Sequence, residues 1–388
     1  MTRRSAIALA LSLIASINSE AAIADPLDAA VGKALFDRQW IPAPSSTDGT
    51  DGLGPLFVSR SCTGCHARGE GAHVITRDDG ITDIKGAVLR FGTADGATDP
   101  YYGLELQPNA VPGLLPEGSV SYLPELHYKL NGPALAKGVH AGVRLAPPLF
   151  GKAAFDDVAD EEILRRADAN ARAGGAIKGR ANVTPHGIGR YGWKAAHVSL
   201  EEQVAHAFAF DIGMSSQAFP LPYGDCTARE TECLSMPNGE SPLFQGRELS
   251  AAMVGVVASY LKTLKPRPAT EASALFQATG CAACHAPTLT TRDGRNIPAF
   301  TDLLLHDMGP SLDDGVGEPG VKSFEWRTAP LINHGLPVEK RRYLHDGSAA
   351  TVEEAVAKHC GEAEDSRVRF EALTGDDKKR LVDYVNGL

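Results

Sequence analysis

Aromatic side chains are scarce in this chain of 388 residues, at 6%. A polypeptide long enough for two or three domains therefore has few large rings of its own to fill its cores. Positive charge is the minority sign: 38 Lys and Arg face 48 Asp and Glu, a formal net charge of −10. That balance argues against nucleic acid or an anionic membrane as partner and leaves docking to a basic protein open. Long apolar runs are missing too. The best candidate, Ala6 to Ile17, is too short to span a bilayer. It follows Arg3 and Arg4 and precedes Ala22-Ile23-Ala24, an A-x-A cleavage site before Asp25, so residues 1–24 read as a secretory signal peptide. No cysteine follows that site to take a lipid. The mature chain is expected in the periplasm, without a membrane span, where the compartment is oxidising.

Cysteine is sparse as well, at 7 residues, but four of them are placed with a purpose. Cys62-Thr63-Gly64-Cys65-His66 is a C-x-x-C-H pentad, and Cys281-Ala282-Ala283-Cys284-His285 is a second. Two cysteines on one turn can each add across a vinyl group of one haem, and the adjacent His then reaches the iron. A zinc site built from two Cys pairs, or a thioredoxin-like redox pair, needs no His directly after each pair, and no βαβ pattern surrounds either one. The pentads predict two covalently bound haem c groups, held by Cys62, Cys65, Cys281 and Cys284, with His66 and His285 as iron ligands. Those groups would supply the flat apolar bodies that the aromatic content lacks. Cys226 and Cys233 bracket a short Thr/Glu-rich loop and predict a disulfide. Cys360 is the odd thiol, open as a rival ligand, a reactive site or an inert buried group.

Asp25-Pro26 opens a helix as N-cap and first residue, with Leu27, Val31, Ala34 and Leu35 on one face. From Gly69 to Gly151, Gly, Pro and short apolar runs predict long loops with a few short strands. Asp160 to Ala173 reads as a helix capped by Asp160, with Ile163, Leu164 and Ala167 in phase. Ser199-x-x-Glu202 is a capping box for a helix through Phe208. Met253 to Leu264 is an apolar helix ending at Lys265-Pro266-Arg267-Pro268, the linker candidate. Thr270 would cap the next helix, which carries Leu275 and Phe276. Thr374 caps the last, with Leu381, Val382, Val385 and Leu388 as one face.

The pentads belong to a longer internal repeat. Arg144-Leu145-Ala146-Pro147 returns as Arg327-Thr328-Ala329-Pro330. Arg190-Tyr191-Gly192-Trp193, followed after a gap by the capping box at Ser199, returns as Arg342-Tyr343-Leu344-His345 with the same gap before Thr351. Each half runs pentad, R-x-A-P, R-Y-x-(W/H), capping box, helix. The expectation is a mainly α protein of two cytochrome c-like haem domains, residues 25–265 and 266–388, the first with a long loop-rich insertion.

The order and motifs resemble the di-haem oxidoreductase family, related to the bacterial di-haem cytochrome c peroxidases and to MauG. The resembling segments are Gly52-Leu53-Gly54-Pro55-Leu56-Phe57, Gly189 to Ala195, His306-Asp307-Met308-Gly309-Pro310, Glu325-Trp326-Arg327-Thr328 and Leu344-His345-Asp346-Gly347. The resemblance implies that Trp193 lies between the haems and relays electrons, and that Gln203 lines the distal face of the first haem. It implies a distal ligand for the second iron at His359, where relatives carry Met or Tyr, with Met308 as rival. It also puts a catalytic Glu at the position of Gly213, a departure that leaves the acid–base group open. Asp211 would face elsewhere on a regular helix. His73, His127 and His140 lie within the insertion and read as surface or packing residues. The function implied is peroxidase-like: electrons from a small redox protein pass from the C-terminal to the N-terminal haem, where peroxide or a similar small oxidant reacts. A pure electron-transfer cytochrome and MauG-like oxidation of a partner protein are the alternatives. Calcium stays open.

Overall fold

The computed structural model describes residues 25–46, 51–266, 271, 273–332 and 335–388. The expected signal peptide, Arg267 and Pro268 of the expected linker, and the Thr270 cap lie outside them. Along the chain the helices are α1 (Pro26–Asp37), α2 (Asp160–Ala173), α3 (Leu200–Ala207), α4 (Thr231–Leu234), α5 (Ala251–Thr263), α6 (Ala274–Ala278), α7 (Val352–Ala357), α8 (Glu364–Glu371) and α9 (Gly375–Gly387).

The expectation of a mainly α fold is overturned: the chain is 33% helical and 19% strand, with many small sheets. Most of the difference lies between the first pentad and Arg144. There His73–Thr76 pairs with Thr82–Lys85, Ala87–Gly92 with His140–Leu145, and Gly118–Ser121 with His127–Leu130, all antiparallel. The alternation in Ala87–Gly92 explains why this segment is a strand. Ala87, Leu89 and Phe91 enter an apolar cluster with Tyr102, Leu106 and Leu145, while Val88 and Arg90 point to the opposite side. The second half contains the counterpart ribbon, Leu305–Asp307 with Glu325–Arg327. Each R-x-A-P motif begins at the end of its ribbon's second strand, and the first half's extra chain lies between the two strands.

The helices repeat in the same way. In each half the helix before the pentad packs on the last helix of that half through an aromatic pair: Phe36 on Tyr260 at 5.2 Å and Phe276 on Tyr384 at 5.6 Å. The capping boxes also match. Ser199 accepts from Glu202 N and Thr351 from Glu354 N, both at 3.1 Å, while Glu202 and Glu354 reach back to Val198 N and Ala350 N. Thr374 caps α9, whose Leu381, Val382, Val385 and Leu388 are buried as expected. The Cys226–Cys233 disulfide is formed.

Two helices differ from expectation. α2 takes Ala159 as its N-cap, because the Asp160 carboxylate pairs instead with Arg190, and Leu164 is exposed. In α1, Leu27 and Val31 are exposed and the buried face is Gly32, Leu35 and Phe36. The reason is the close approach of α5: a Cβ on Gly32 would lie 1.8 Å from the Val256 carbonyl oxygen. Among the described residues no helix is long and apolar enough to cross a membrane. The clash at Gly32 would be with backbone, so no rotamer change can relieve it. Gly32→Ala is expected to cost about 1–3 kcal/mol through overpacking, read as a lowered midpoint with unchanged slope in a urea melt.

Candidate functional site

Both pentads wind as one tight turn, Cys62–Gly64 and Cys281–Ala283. His66 N donates to Cys62 O at 2.8 Å and His285 N to Cys281 O at 2.9 Å. Each turn therefore projects two thiols and an imidazole from one short piece of backbone. All six side chains line a single cavity of about 1460 Å³, larger than the roughly 300–1,000 Å³ of an ordinary small-molecule site. They are half-buried only because they face this cavity. Protein otherwise encloses them, and burial pushes His66 and His285 down to about 4 and the Cys62 and Cys65 thiols up to about 12. Both imidazoles are neutral at pH 7, the form that ligates a metal. His285 Nδ1 is 3.1 Å from Phe300 O, which assigns the proton to Nδ1 and leaves the Nε2 lone pair free. His66 Nδ1 has no hydrogen-bond partner among the described residues.

The repeated motifs meet between the two pentads. Leu145 N donates to His345 O at 2.7 Å, and Arg327 N donates to Trp193 O at 2.9 Å. The R-x-A-P segment of each half thus pairs with the R-Y-x-(W/H) segment of the other. Trp193 Nε1 donates to Leu145 O at 2.8 Å and Arg327 Nε to Gly192 O at 2.7 Å. His345 stacks on Trp326 with centroids 3.6 Å apart and meets Trp193 edge-on at 6.4 Å. The other face of the stack is cationic. Lys194 Nζ lies 3.4 Å from the Trp326 centroid and donates to the carbonyls of Lys322, Ser323 and Glu325, and the Arg144 guanidinium lies at 4.6 Å. Burial, and then Arg144, pull Lys194 down to about 7.

The remaining wall distinguishes the halves. In the C-terminal half His359 lines the cavity, its Nδ1 2.7 Å from Ala355 O, which leaves Nε2 without a hydrogen-bond partner among the described residues. Met308 lines the cavity too. In the N-terminal half Ala207 occupies the repeat position of His359 and lines the cavity with Gln203, His206 and Asp211. His73, His127 and His140 do not reach it. The sequence reading missed Arg90, His197 and His206, and it expected Asp211 to face elsewhere. Arg90 had a signal, the alternation of its strand. Asp211 had none, because α3 continues as a widened π turn over Phe208–Ile212 that re-aims its side chain. His197 and His206 pack ring to ring at 4.5 Å beside Phe210 and Phe219, and burial holds both below the usual range.

Haem fits this donor set. A haem brings two propionate carboxylates, and the cavity wall holds Lys152 and Arg327 with no salt bridge to either among the described residues. Burial drives Lys152 well down and Arg327 to about 10. Burial disfavours the charged form of each, and an arriving carboxylate would favour it again. Behind the second pentad, His306 sits between Asp302 at 2.9 Å and Glu362 at 2.7 Å, with Cys284 Sγ 3.8 Å away. Burial opposes its charge, but the two carboxylates hold its pKa well above the usual value. Glu362 also accepts from the backbone N–H groups of Lys178, Gly179 and Asp307, which ties three segments to that pentad.

Comparison with known proteins agrees with this donor set. The family described as "Di-haem oxidoreductase, putative peroxidase" matches residues 128–388, and no curated protein and no solved structure matches. At Gly213, where the resemblance to peroxidases would put a catalytic Glu, the structure has no room for a side chain. A Cβ there would lie 2.7 Å from Gly54 Cα and 3.0 Å from Leu56 O, at a φ of +83°. Gly213→Glu is therefore expected to lower stability by about 1–3 kcal/mol from backbone strain alone, seen as a fall in thermal midpoint, rather than to install an acid.

Proposed function

Because this chain belongs to the di-haem oxidoreductase family, we propose that it is a periplasmic, c-type, peroxidase-like member. Electrons from a small redox protein enter at the C-terminal pocket and are delivered to the N-terminal pocket, where a peroxide or similar small oxidant is reduced. The observation that carries this reading is the asymmetry of the cavity wall: His359 on one side, Ala207 at the equivalent place on the other. A pocket walled by two imidazoles suits electron relay, and one that offers a small side chain opposite its His suits binding of an outside molecule.

Haem supplies an iron that changes oxidation state in each pocket; the chain's residues supply the rest. Cys62 and Cys65, and Cys281 and Cys284, would tether it as thioethers. His66 and His285 would hold the iron through neutral Nε2 atoms, and His359 would be a second protein ligand at the C-terminal pocket, with Met308 as rival. His359 is favoured because Ala355 O holds its Nδ1 at 2.7 Å, which leaves Nε2 as the ligand atom of a ring on the cavity wall. Trp193 joins the two pockets: its indole reaches Leu145 O on one side and His345 on the other. Gln203 lines the N-terminal pocket as a polar group toward the bound oxidant.

Acid–acetone treatment of the denatured holoprotein is expected to leave the haem attached, and the Cys62→Ala, Cys65→Ala double variant to lose half of it. His359→Gly is expected to turn one low-spin signal high-spin while Met308→Leu does not; the reverse would give the ligand to Met308. In stopped flow after one-electron reduction, peroxide is expected to react at the N-terminal pocket. Trp193→Phe should then slow transfer between pockets by about tenfold or more, a barrier difference of ~1.4 kcal/mol, at unchanged haem content. No peroxide reaction at either pocket would support a pure electron-transfer cytochrome instead.

A further inference from the structure

The internal repeat breaks at two residues that meet in space. Lys194 follows Trp193 where the second half has Asp346 after His345, and Trp326 precedes Arg327 where the first half has Val143 before Arg144. Lys194 is fully buried. Its Nζ crosses into the C-terminal half and donates to the carbonyls of Lys322, Ser323 and Glu325 at 3.0, 2.7 and 2.7 Å. Three acceptors take all three N–H bonds of an ammonium; a neutral amine has only two to give. The same nitrogen lies 3.4 Å from the centroid of the Trp326 ring, with the Arg144 guanidinium at 4.6 Å and His345 stacked at 3.6 Å. The carboxylates that act on this cation are Asp314, Glu318 and Glu325. Asp314 pairs with Arg144 and Glu325 with Arg180, and Lys194 has no salt bridge among the described residues.

A cation on the face of an indole is attracted to it as long as the ring keeps its electrons. Loss of one electron reverses the sign. The ring then carries a positive charge beside the ammonium, in a space that water does not screen. Deprotonation does not relieve it, because Trp326 Nε1 donates to Leu312 O at 2.8 Å, and a backbone carbonyl is no base. Trp193 Nε1 is held in the same way on Leu145 O. Over the Trp193 ring, however, no cation lies among the described residues. Its neighbour is the edge-on ring of His345 at 6.4 Å, whose pKa burial lowers. Two indoles on one cavity wall, both touching one imidazole, are therefore unequal in how readily they lose an electron.

We propose that Lys194, with Arg144 behind it, bars Trp326 from oxidation and so confines electron loss at the junction to Trp193. Lys194 is a positioning residue in this role: it acts through the Trp326 ring and touches no substrate. An oxidant in the N-terminal pocket then draws one electron from the Trp193 ring, and one electron from the C-terminal pocket replaces it, with no proton moved. The place of Trp193 in that path rests on the peroxidase-like reading; the inequality of the two indoles does not.

The test uses the full-chain holoprotein and hexachloroiridate(IV), an outer-sphere one-electron oxidant that needs no peroxide chemistry. At about pH 6, Lys194, which burial pulls down to about 7, keeps its proton. Conversion of an indole to an oxindole consumes two equivalents of the oxidant and one water and releases two protons. Peptide mapping by mass spectrometry reads where it occurs. Trp40, the third tryptophan, lies off the cavity and reports indiscriminate damage. In wild type, conversion at Trp193 should exceed that at Trp326 by ~10-fold or more; equal conversion, including none at either, would overturn the proposal. Lys194→Met, which removes the charge and keeps the length, should raise conversion at Trp326 by ~10-fold or more, whereas Lys194→Arg should not. An unchanged Trp326 in folded Lys194→Met would also overturn it. Trp193→Phe removes the easier indole without altering Lys194, and conversion appearing at Trp326 there would count against the barrier even if the lysine variants do not fold. If Trp193→Phe leaves transfer between the pockets unchanged, the relay reading fails, while the map of oxidation still decides the role of Lys194.

Discussion

Everything at the centre of this molecule depends on a reciprocal strand contact. Leu145 N on His345 O and Arg327 N on Trp193 O join the R-x-A-P segment of each half to the R-Y-x-(W/H) segment of the other. The contact uses backbone groups that would otherwise be buried without partners, so the halves cannot slide without losing them. It also sets what the cavity wall contains, because Trp193, His345 and Trp326 are carried on those same segments. Two halves folded as separate beads would leave both motifs at loose ends. Crossed, they enclose one space shared by both pentads.

Charge is arranged around that space in a consistent way. Neutral imidazoles face inward because burial lowers His66, His285 and His359 below their usual values. Basic side chains line the wall, some stacked on Trp326 and others, Lys152 and Arg327, without a salt bridge among the described residues. Asp314 balances Arg144, and His345 Nε2 lies 3.5 Å from the same carboxylate. An apolar cavity with unbalanced cations at its edge suits a flat apolar body that carries its own carboxylates. That match of shape and charge is the physical basis on which haem belongs here.

The halves share their motifs and differ where it matters for chemistry. They keep the capping boxes, the aromatic helix pairs and the two-stranded ribbon before R-x-A-P. They differ beyond the repeated helices: α3 runs on into a π turn with Ala207 and Asp211, whereas α7 ends and presents His359. They differ also in the chain between the ribbon strands, which in the first half brings Glu105 to Arg90. One half presents His359 to the cavity, and the other presents Ala207 with Gln203 and Asp211.

Features encoded within a turn or a short loop were legible in the chain alone. The pentads, the capping boxes at Ser199 and Thr351, the Asp25 and Thr374 caps and the short-range disulfide are all of this kind, and the order of motifs was enough to point to the family. Whatever depends on groups far apart in the chain was settled only by packing. The mainly α expectation failed because the insertion's strands gain stability only when Ala87, Leu89 and Phe91 find Tyr102 and Leu145, a pairing no local pattern announces. The buried face of α1 was set by the approach of α5 at Gly32, not by its own apolar stripe. Asp211 entered the cavity through one widened turn that residue spacing cannot show. Local hydrogen-bond chemistry is written in sequence spacing; burial, and the proton and charge states it imposes, come into being only when distant segments pack.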